Sequence, residues 1–78
     1  MAAVRYFAAA AEAAGREAEV LDAVTVGELR DAMVARHGAG LERVLRRCAL
    51  LVGGVRAAEH TRVEADDVVD VLPPFAGG

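Results

Sequence analysis

The chain has 78 residues and a formal net charge of −3, and hydrophobic residues make up 55% of it. A chain of this length forms one small domain, and the composition is too apolar for a disordered segment. All nine basic residues are arginines, so the chain has no side-chain amine for Schiff-base chemistry, and their scattered placement excludes a basic stripe for nucleic acid. We therefore expect a folded domain that is too small to be a complete multi-step enzyme.

The single cysteine, Cys48, excludes an internal disulfide and favours a cytoplasmic protein whose core is held by packing alone. Because Cys48 begins an apolar run, we expect it to be a buried hydrophobic side chain. His37 and His60 lack the spacing of metal ligands, so no metal site is predicted. The alanine-rich stretch that contains Glu12 predicts neither a signal peptide nor a membrane span.

Alternating residues near the start of the chain indicate a β-strand. Over residues 3–8 the alternation places Tyr6 towards the core and Phe7 on the uncovered face of a sheet. An alanine-rich turn or short helix follows and ends near Gly15. Residues 17–22 alternate again, which predicts a second strand that pairs back on the first as a loose hairpin.

The principal helix is predicted over residues 26–37. The sequence at residues 25–28, Thr-Val-Gly-Glu, has the form of a capping box, which marks a helix N-terminus. Gly38 is placed to stop this helix in a left-handed conformation. Apolar residues at helical spacing over residues 41–48 predict a short second helical turn.

The second half of the chain contains the signals of three more strands. The apolar run 48–52 is predicted to be the central, buried strand, and Gly53-Gly54 predicts a tight hairpin to a short strand. The sequence Glu-Ala-Asp-Asp at residues 64–67 predicts a turn before a last strand at 68–72. This order predicts an α+β fold of the ubiquitin-like β-grasp type, with a mixed sheet of about five strands wrapped over one main helix. With one main helix, one face of the sheet should stay open.

The residues after the last strand form an unusual ending, Pro73-Pro74-Phe75-Ala76-Gly77-Gly78. Two prolines cannot continue a sheet ladder and hold the chain extended, so we expect a β-grasp domain at residues 1–72 and an extended C-terminal tail at residues 73–78. The two glycines lack Cβ atoms and can pass through a channel too narrow for any side chain. The carboxylate of Gly78 is therefore the candidate functional group.

This ending resembles that of the ubiquitin-like sulfur carriers of the MoaD/ThiS type, most closely the small subunits of molybdopterin synthase. The resemblance rests on residues 69–78, and the Phe7 start and the hairpin at 50–55 also fit. It implies a carrier, not a complete enzyme. It also implies that an E1-like adenylating enzyme uses ATP to activate Gly78, and that a persulfide enzyme donates the sulfur of a thiocarboxylate. The carrier itself would bind no cofactor.

The resemblance further implies a heterotetramer of two small and two large synthase subunits, in which the sulfur passes to cyclic pyranopterin monophosphate during molybdopterin biosynthesis. Gly78 would be thiocarboxylated and Gly77 would lie in the channel. The implied contacts with the partner are Phe7, Pro73, Pro74, Phe75 and Ala76. Neither nucleic acid nor a membrane is an expected partner.

Several alternatives stay open at this point. The sulfur could serve thiamine thiazole, cysteine or tRNA thiolation, or the chain could be a protein modifier that joins Gly78 to lysines of other proteins. A β-grasp interaction module with an inert tail is a further alternative. For Arg46-Arg47 the sequence favours a solvated patch over a contribution to an acidic partner surface.

Overall fold

Five strands form one mixed sheet in the computed structural model, which describes residues 1–74. In chain order, the strands and helices are β1 (Ala2–Tyr6), α1 (Ala9–Ala14), β2 (Ala18–Leu21), α2 (Val26–His37), α3 (Ala39–Leu45), β3 (Ala49–Val52), β4 (Val55–Arg56) and β5 (Val68–Leu72). The strand order is β2-β1-β5-β3-β4, in which β1 and β5 are parallel and the other neighbours are antiparallel. This topology confirms the predicted β-grasp fold.

The capping box at the start of α2 forms largely as predicted. The Thr25 hydroxyl accepts a hydrogen bond from the Glu28 N–H at 3.1 Å. The Glu28 carboxylate reaches back one residue further than the standard motif and accepts from the Val24 N–H at 3.2 Å. Gly38 ends the helix with φ 84°, a value that favours glycine, but its ψ of −165° differs from the predicted left-handed helical conformation. The predicted bounds of this helix are therefore confirmed.

The core lies between one face of the sheet and the three helices. Tyr6 is 3% exposed and Phe7 is only partly buried, so the predicted register of β1 is confirmed. The fully buried side chains that meet across this layer come from both the sheet and the helices: Val4, Val69, Val71, Leu29, Met33, Leu41 and Leu45. The opposite face carries Arg5 and Val68, which are exposed, and no helix within residues 1–74 covers it, as predicted.

The apolar run 48–52 is not the central strand, so this part of the prediction is wrong. The central strand is β5, and β3 lies between β5 and the short edge strand β4. Within β3 only Leu50 is fully buried, whereas Leu51 and Val52 are partly exposed. A continuous apolar run indicates burial, but it does not determine the order of the strands.

The short elements follow the sequence signals with one difference. Helix α1 ends at Gly15 with φ 73°, and Gly53 and Gly54 form the β3–β4 turn with φ values of 59° and 82°. The predicted second helical turn is a seven-residue helix, α3, that begins directly after Gly38. This helix lies beside the end of β5, which makes it important for the candidate site.

Candidate functional site at the base of the C-terminal tail

Strand β5 leads directly into the two prolines that begin the tail. It is hydrogen-bonded on both sides, to β1 and to β3, and it ends at Leu72. Pro73 is buried and Pro74 is exposed, so the chain reaches the surface at the second proline. We call Leu72, Pro73 and Pro74 the tail base. The predicted roles of Phe75, Ala76, Gly77 and Gly78 lie outside the described residues and stay predictions.

Phe7 lies beside the tail base, because the parallel strands β1 and β5 end at the same edge of the sheet. The Phe7 N–H donates to the carbonyl of Val71 at 3.2 Å, and the Phe7 ring is partly exposed. The Arg5 guanidinium lies 5.6 Å from the centre of this ring, a cation–π contact. The structure thus places Phe7, Pro73 and Pro74 at one edge, while their contact with a partner stays a prediction.

A cross-strand ion pair occupies the middle of the open face. The Arg5 side chain donates to both carboxylate oxygens of Asp70, at 2.7 and 2.9 Å. These hydrogen bonds raise the pKa of Arg5. Sequence analysis missed the pair, because the two residues meet only through the parallel register of β1 on β5. The pair orients Arg5 along the open face towards Phe7.

On the helical side of the tail base lies an open groove of about 460 Å³. It is lined by residues from the start of α1, from α3 and the segment just after it, and from the two prolines of the tail base: Ala9, Gly40, Arg43, Val44, Arg47, Pro73 and Pro74. The Arg43 and Arg47 residues are exposed, and Val44 is partly buried. We call these seven residues the arginine groove. Sequence analysis noted Arg47 in the Arg46-Arg47 pair but did not connect it with the tail.

A second polar cluster lies away from the tail, around Glu19 of β2. One oxygen of Glu19 accepts from the Tyr6 hydroxyl at 2.6 Å and lies 2.6 Å from His37 Nε2. The other oxygen lies 3.0 Å from Arg36 Nε and 3.5 Å from a guanidinium nitrogen of Arg16. Burial alone raises the pKa of Glu19, but the hydrogen bonds from Tyr6 and His37 and the nearby positive charges outweigh it, so the pKa is lowered. The cluster ties β1, β2 and α2 together.

The Glu19 cluster also gives His37 a partner, whereas the sequence indicated only that His37 lacks the spacing of a metal ligand. The rings of His37 and Tyr6 meet edge to face, with centroids 6.0 Å apart. No spacing rule connects these residues, because they lie on three separate elements. Their role is structural.

Cys48 is not placed for catalysis. Its thiol donates to the carbonyl of Val44 at 3.2 Å, and burial raises its pKa, which disfavours the reactive thiolate. Within residues 1–74 there is no group of three or more His, Cys, Asp or Glu side chains that could hold a metal ion. The same part of the chain contains no helix long and apolar enough to cross a membrane.

The β-grasp topology, with a central strand that continues into the tail, defines a ubiquitin-like β-grasp protein. A family model of the ThiS family matches residues 4–78, and the chain belongs to this family. The family comprises ubiquitin-like sulfur carriers and modifiers. No curated protein is similar enough to this chain to count as a match.

Solved structures agree with this assignment. SAMP1 from Haloferax volcanii is 32% identical with a TM-score of 0.85, over 99% of this chain and 98% of that chain. A chain in the complex of subunits 1 and 2 of molybdopterin-converting factor from Helicobacter pylori is 27% identical with a TM-score of 0.72, over 99% and 97% of the two chains. A chain in the BexX/CysO complex from Amycolatopsis orientalis is 20% identical with a TM-score of 0.81 over 100% of both chains, which supports the fold alone.

Proposed function

We propose that this chain is a sulfur carrier that delivers sulfur from a thiocarboxylate at Gly78, and that it acts as the small subunit of molybdopterin synthase. The observation that carries the proposal is the match to the ThiS family through residue 78, together with a central strand that leads directly into Pro73 and Pro74. Pairing of β5 with both β1 and β3 fixes the position of Leu72, and the two prolines that follow favour an extended chain. The final glycines then fit a channel that excludes side chains.

The chemistry begins at the Gly78 carboxylate, which is a poor electrophile. In the proposed reaction, one carboxylate oxygen attacks the α-phosphorus of ATP bound by an E1-like enzyme, and pyrophosphate leaves. A persulfide sulfur of the donor enzyme then attacks the acyl carbon, and AMP leaves. A second thiol cleaves the resulting acyl disulfide, which releases the Gly78 thiocarboxylate and leaves a disulfide on the donor. The carrier supplies the acyl group, and ATP is bound by its partner.

The proposed acceptor is cyclic pyranopterin monophosphate, held by a large synthase subunit. The similarity to a chain in the Helicobacter pylori complex of two molybdopterin-converting factor subunits supports this pathway, because it covers nearly the whole of both chains. Two carriers would deliver the two sulfurs of the dithiolene, consistent with a heterotetramer. In this complex Phe7 and the residues of the tail would contact the large subunit.

A protein modifier is the second candidate. The match to SAMP1, a small archaeal modifier protein, has a higher identity than the match to the Helicobacter pylori chain. In a modifier, the activated Gly78 carbonyl would be attacked by a lysine amine of another protein, which would form an isopeptide bond. Both functions require the same adenylation step, and they differ in the nucleophile that follows.

Intact-mass analysis of the carrier tests the proposal. The chain is incubated with the E1-like enzyme of the same organism, ATP and a sulfur donor, and we expect one oxygen-for-sulfur exchange located at Gly78. Addition of the large subunit and cyclic pyranopterin monophosphate should return the carboxylate and form molybdopterin. A carrier that keeps only its carboxylate under these conditions would contradict the sulfur-carrier proposal, and Gly78 linked to lysines would favour the modifier.

A further inference from the structure

We propose that the arginine groove is a docking site for acidic side chains of the adenylating enzyme, at the entrance to the site that receives Gly78. This inference rests on the proposed function only as far as the adenylation step, which the sulfur carrier and the modifier share. It concerns the helical side of the tail base and is separate from the open face that carries Phe7.

The length of the tail brings the groove close to any enzyme that activates Gly78. Gly78 is the fourth residue after Pro74, and a fully extended chain of four residues spans about 13–14 Å. An enzyme that holds the Gly78 carboxylate within a closed site must therefore bring its surface close to Pro74. Since Pro73 and Pro74 form one wall of the groove, its other walls approach that surface too.

Charge determines what the groove can accept. Arg5, Arg16, Arg30 and Arg36 each form an ion pair within the domain. Arg43 and Arg47, in contrast, have no ion-pair partner within residues 1–74. Two positive side chains that flank one concave surface, on a chain whose net charge is −3, favour an acidic ligand.

The floor of the groove favours a protein ligand over a free anion. Val44 and the two prolines line the same groove as the two arginines and give it apolar surface. An aspartate or glutamate of a partner can pair with Arg43 or Arg47 while its neighbours cover this apolar floor. Arginine is also one of the residue types enriched among those that dominate the binding energy of protein interfaces.

The test measures ATP–pyrophosphate exchange catalysed by the E1-like enzyme as the carrier concentration is varied. We expect R43E/R47E to raise KM for the carrier about tenfold or more, because like charges across an interface repel, and to change kcat by less than about twofold. The neutral variant R43Q/R47Q should raise KM less, and its KM should depend less on salt than that of the native chain.

The matched control is Arg62→Glu. Arg62 is exposed, has no ion-pair partner within residues 1–74, and lies beside Thr25 at the opposite end of the sheet. The KM of the E1-like enzyme for the R62E carrier should stay within about twofold of its KM for the native chain. Thermal unfolding of all variants should show an intact fold, because the changed side chains are exposed.

The outcomes separate this inference from the proposed function. If the native chain supports no ATP–pyrophosphate exchange, both are overturned. If the native chain is adenylated and becomes thiocarboxylated, but R43E/R47E and R43Q/R47Q have the same KM and salt dependence as the native chain, the groove inference is wrong and the proposed function stands. An equal rise of KM in R62E would also overturn the inference, since it would indicate a general effect of charge.

Discussion

At the scale of single residues, neighbouring aromatic side chains of β1 have opposite environments. Tyr6 points into the core and donates to Glu19, whereas Phe7 lies partly exposed beside the tail base. Their difference follows from the two-residue period of a strand, which sends successive side chains to opposite faces. The two positions should therefore respond to truncation in different ways.

We expect Tyr6→Ala to lower the free energy of unfolding by about 3–5 kcal/mol, because it leaves a cavity and removes a hydrogen bond to a buried carboxylate. Phe7→Ala should cost much less stability but weaken binding to the large synthase subunit roughly thirtyfold, the loss of about 2 kcal/mol typical of a buried aromatic at an interface. Chemical denaturation and titration calorimetry of both variants measure the two effects. Phe7→Ala with native affinity for the large subunit would exclude Phe7 from the interface.

Gly77 provides a second prediction at this scale. We expect Gly77→Val to leave unfolding unchanged and to abolish thiocarboxylation, because a β-branched side chain cannot pass a channel sized for glycine. Mass analysis after incubation with the activating enzyme measures the product, and thermal unfolding serves as the control. If the Gly77→Val variant is thiocarboxylated at the native rate, the proposal of a narrow channel is wrong.

At the scale of elements, local signals predicted most of the fold. The capping box located the start of α2, Gly15 and Gly38 marked helix ends, and the Gly53-Gly54 pair marked a hairpin. Each of these signals acts within a few residues, so one sequence is sufficient to recognise it.

Features that depend on contacts between residues far apart in the sequence could not be predicted from local signals. The central position of β5 was missed because Asp70 interrupts its apolar pattern, and Asp70 is accommodated only by Arg5 on the neighbouring strand. The arginine groove was missed for a related reason, since α3 and the tail base meet only in the folded chain. Sequence analysis recognised the tail as a functional segment, whereas the surface around it required the structure.

The N-terminus of α2 allows a direct test of how much a local signal contributes. Thr25→Ala removes the acceptor for the Glu28 N–H and should lower the free energy of unfolding by about 1 kcal/mol. Thr25→Ser keeps the hydroxyl and should stay close to the native value. Chemical denaturation measures both. Equal stability of the two variants would mean that the cap contributes little and that packing alone positions the helix.

At the scale of the whole molecule, the fold separates stability from function. The Glu19 cluster joins β1, β2 and α2 on the covered side of the sheet, while Phe7 and the arginine groove lie beside the tail base. A change in the cluster should therefore alter unfolding without touching the proposed contact surfaces. Lowering the pH changes the Glu19 cluster without a mutation, because it protonates the Glu19 carboxylate.

The direction of this pH dependence follows from the lowered pKa of Glu19. A group whose pKa is lower in the folded state stabilises the fold fully above its unfolded value, and this contribution is lost as pH falls through the folded value. The ordinary pKa of this glutamate is 4.5, so its contribution should be complete near neutral pH and decrease below about 4.5. Protonation would remove the negative charge that faces Arg16, Arg36 and His37, and it would replace an acceptor of the Tyr6 hydroxyl with a competing donor.

Glu19→Gln isolates this contribution. Since glutamine cannot carry the charge, we expect the variant to be less stable than the native chain by about 1–3 kcal/mol at pH 7, the range for a buried polar group that loses a partner. The difference should shrink as pH falls below about 4.5, because the native chain then loses the same charge. Glu17→Gln is the matched control, because Glu17 is exposed and has no ion-pair partner within residues 1–74. Urea denaturation from pH 3 to pH 7 measures the free energy of unfolding of the native chain and of both variants. If the difference in this free energy between the native chain and Glu19→Gln stays constant over the range, the charge of Glu19 does not stabilise the fold.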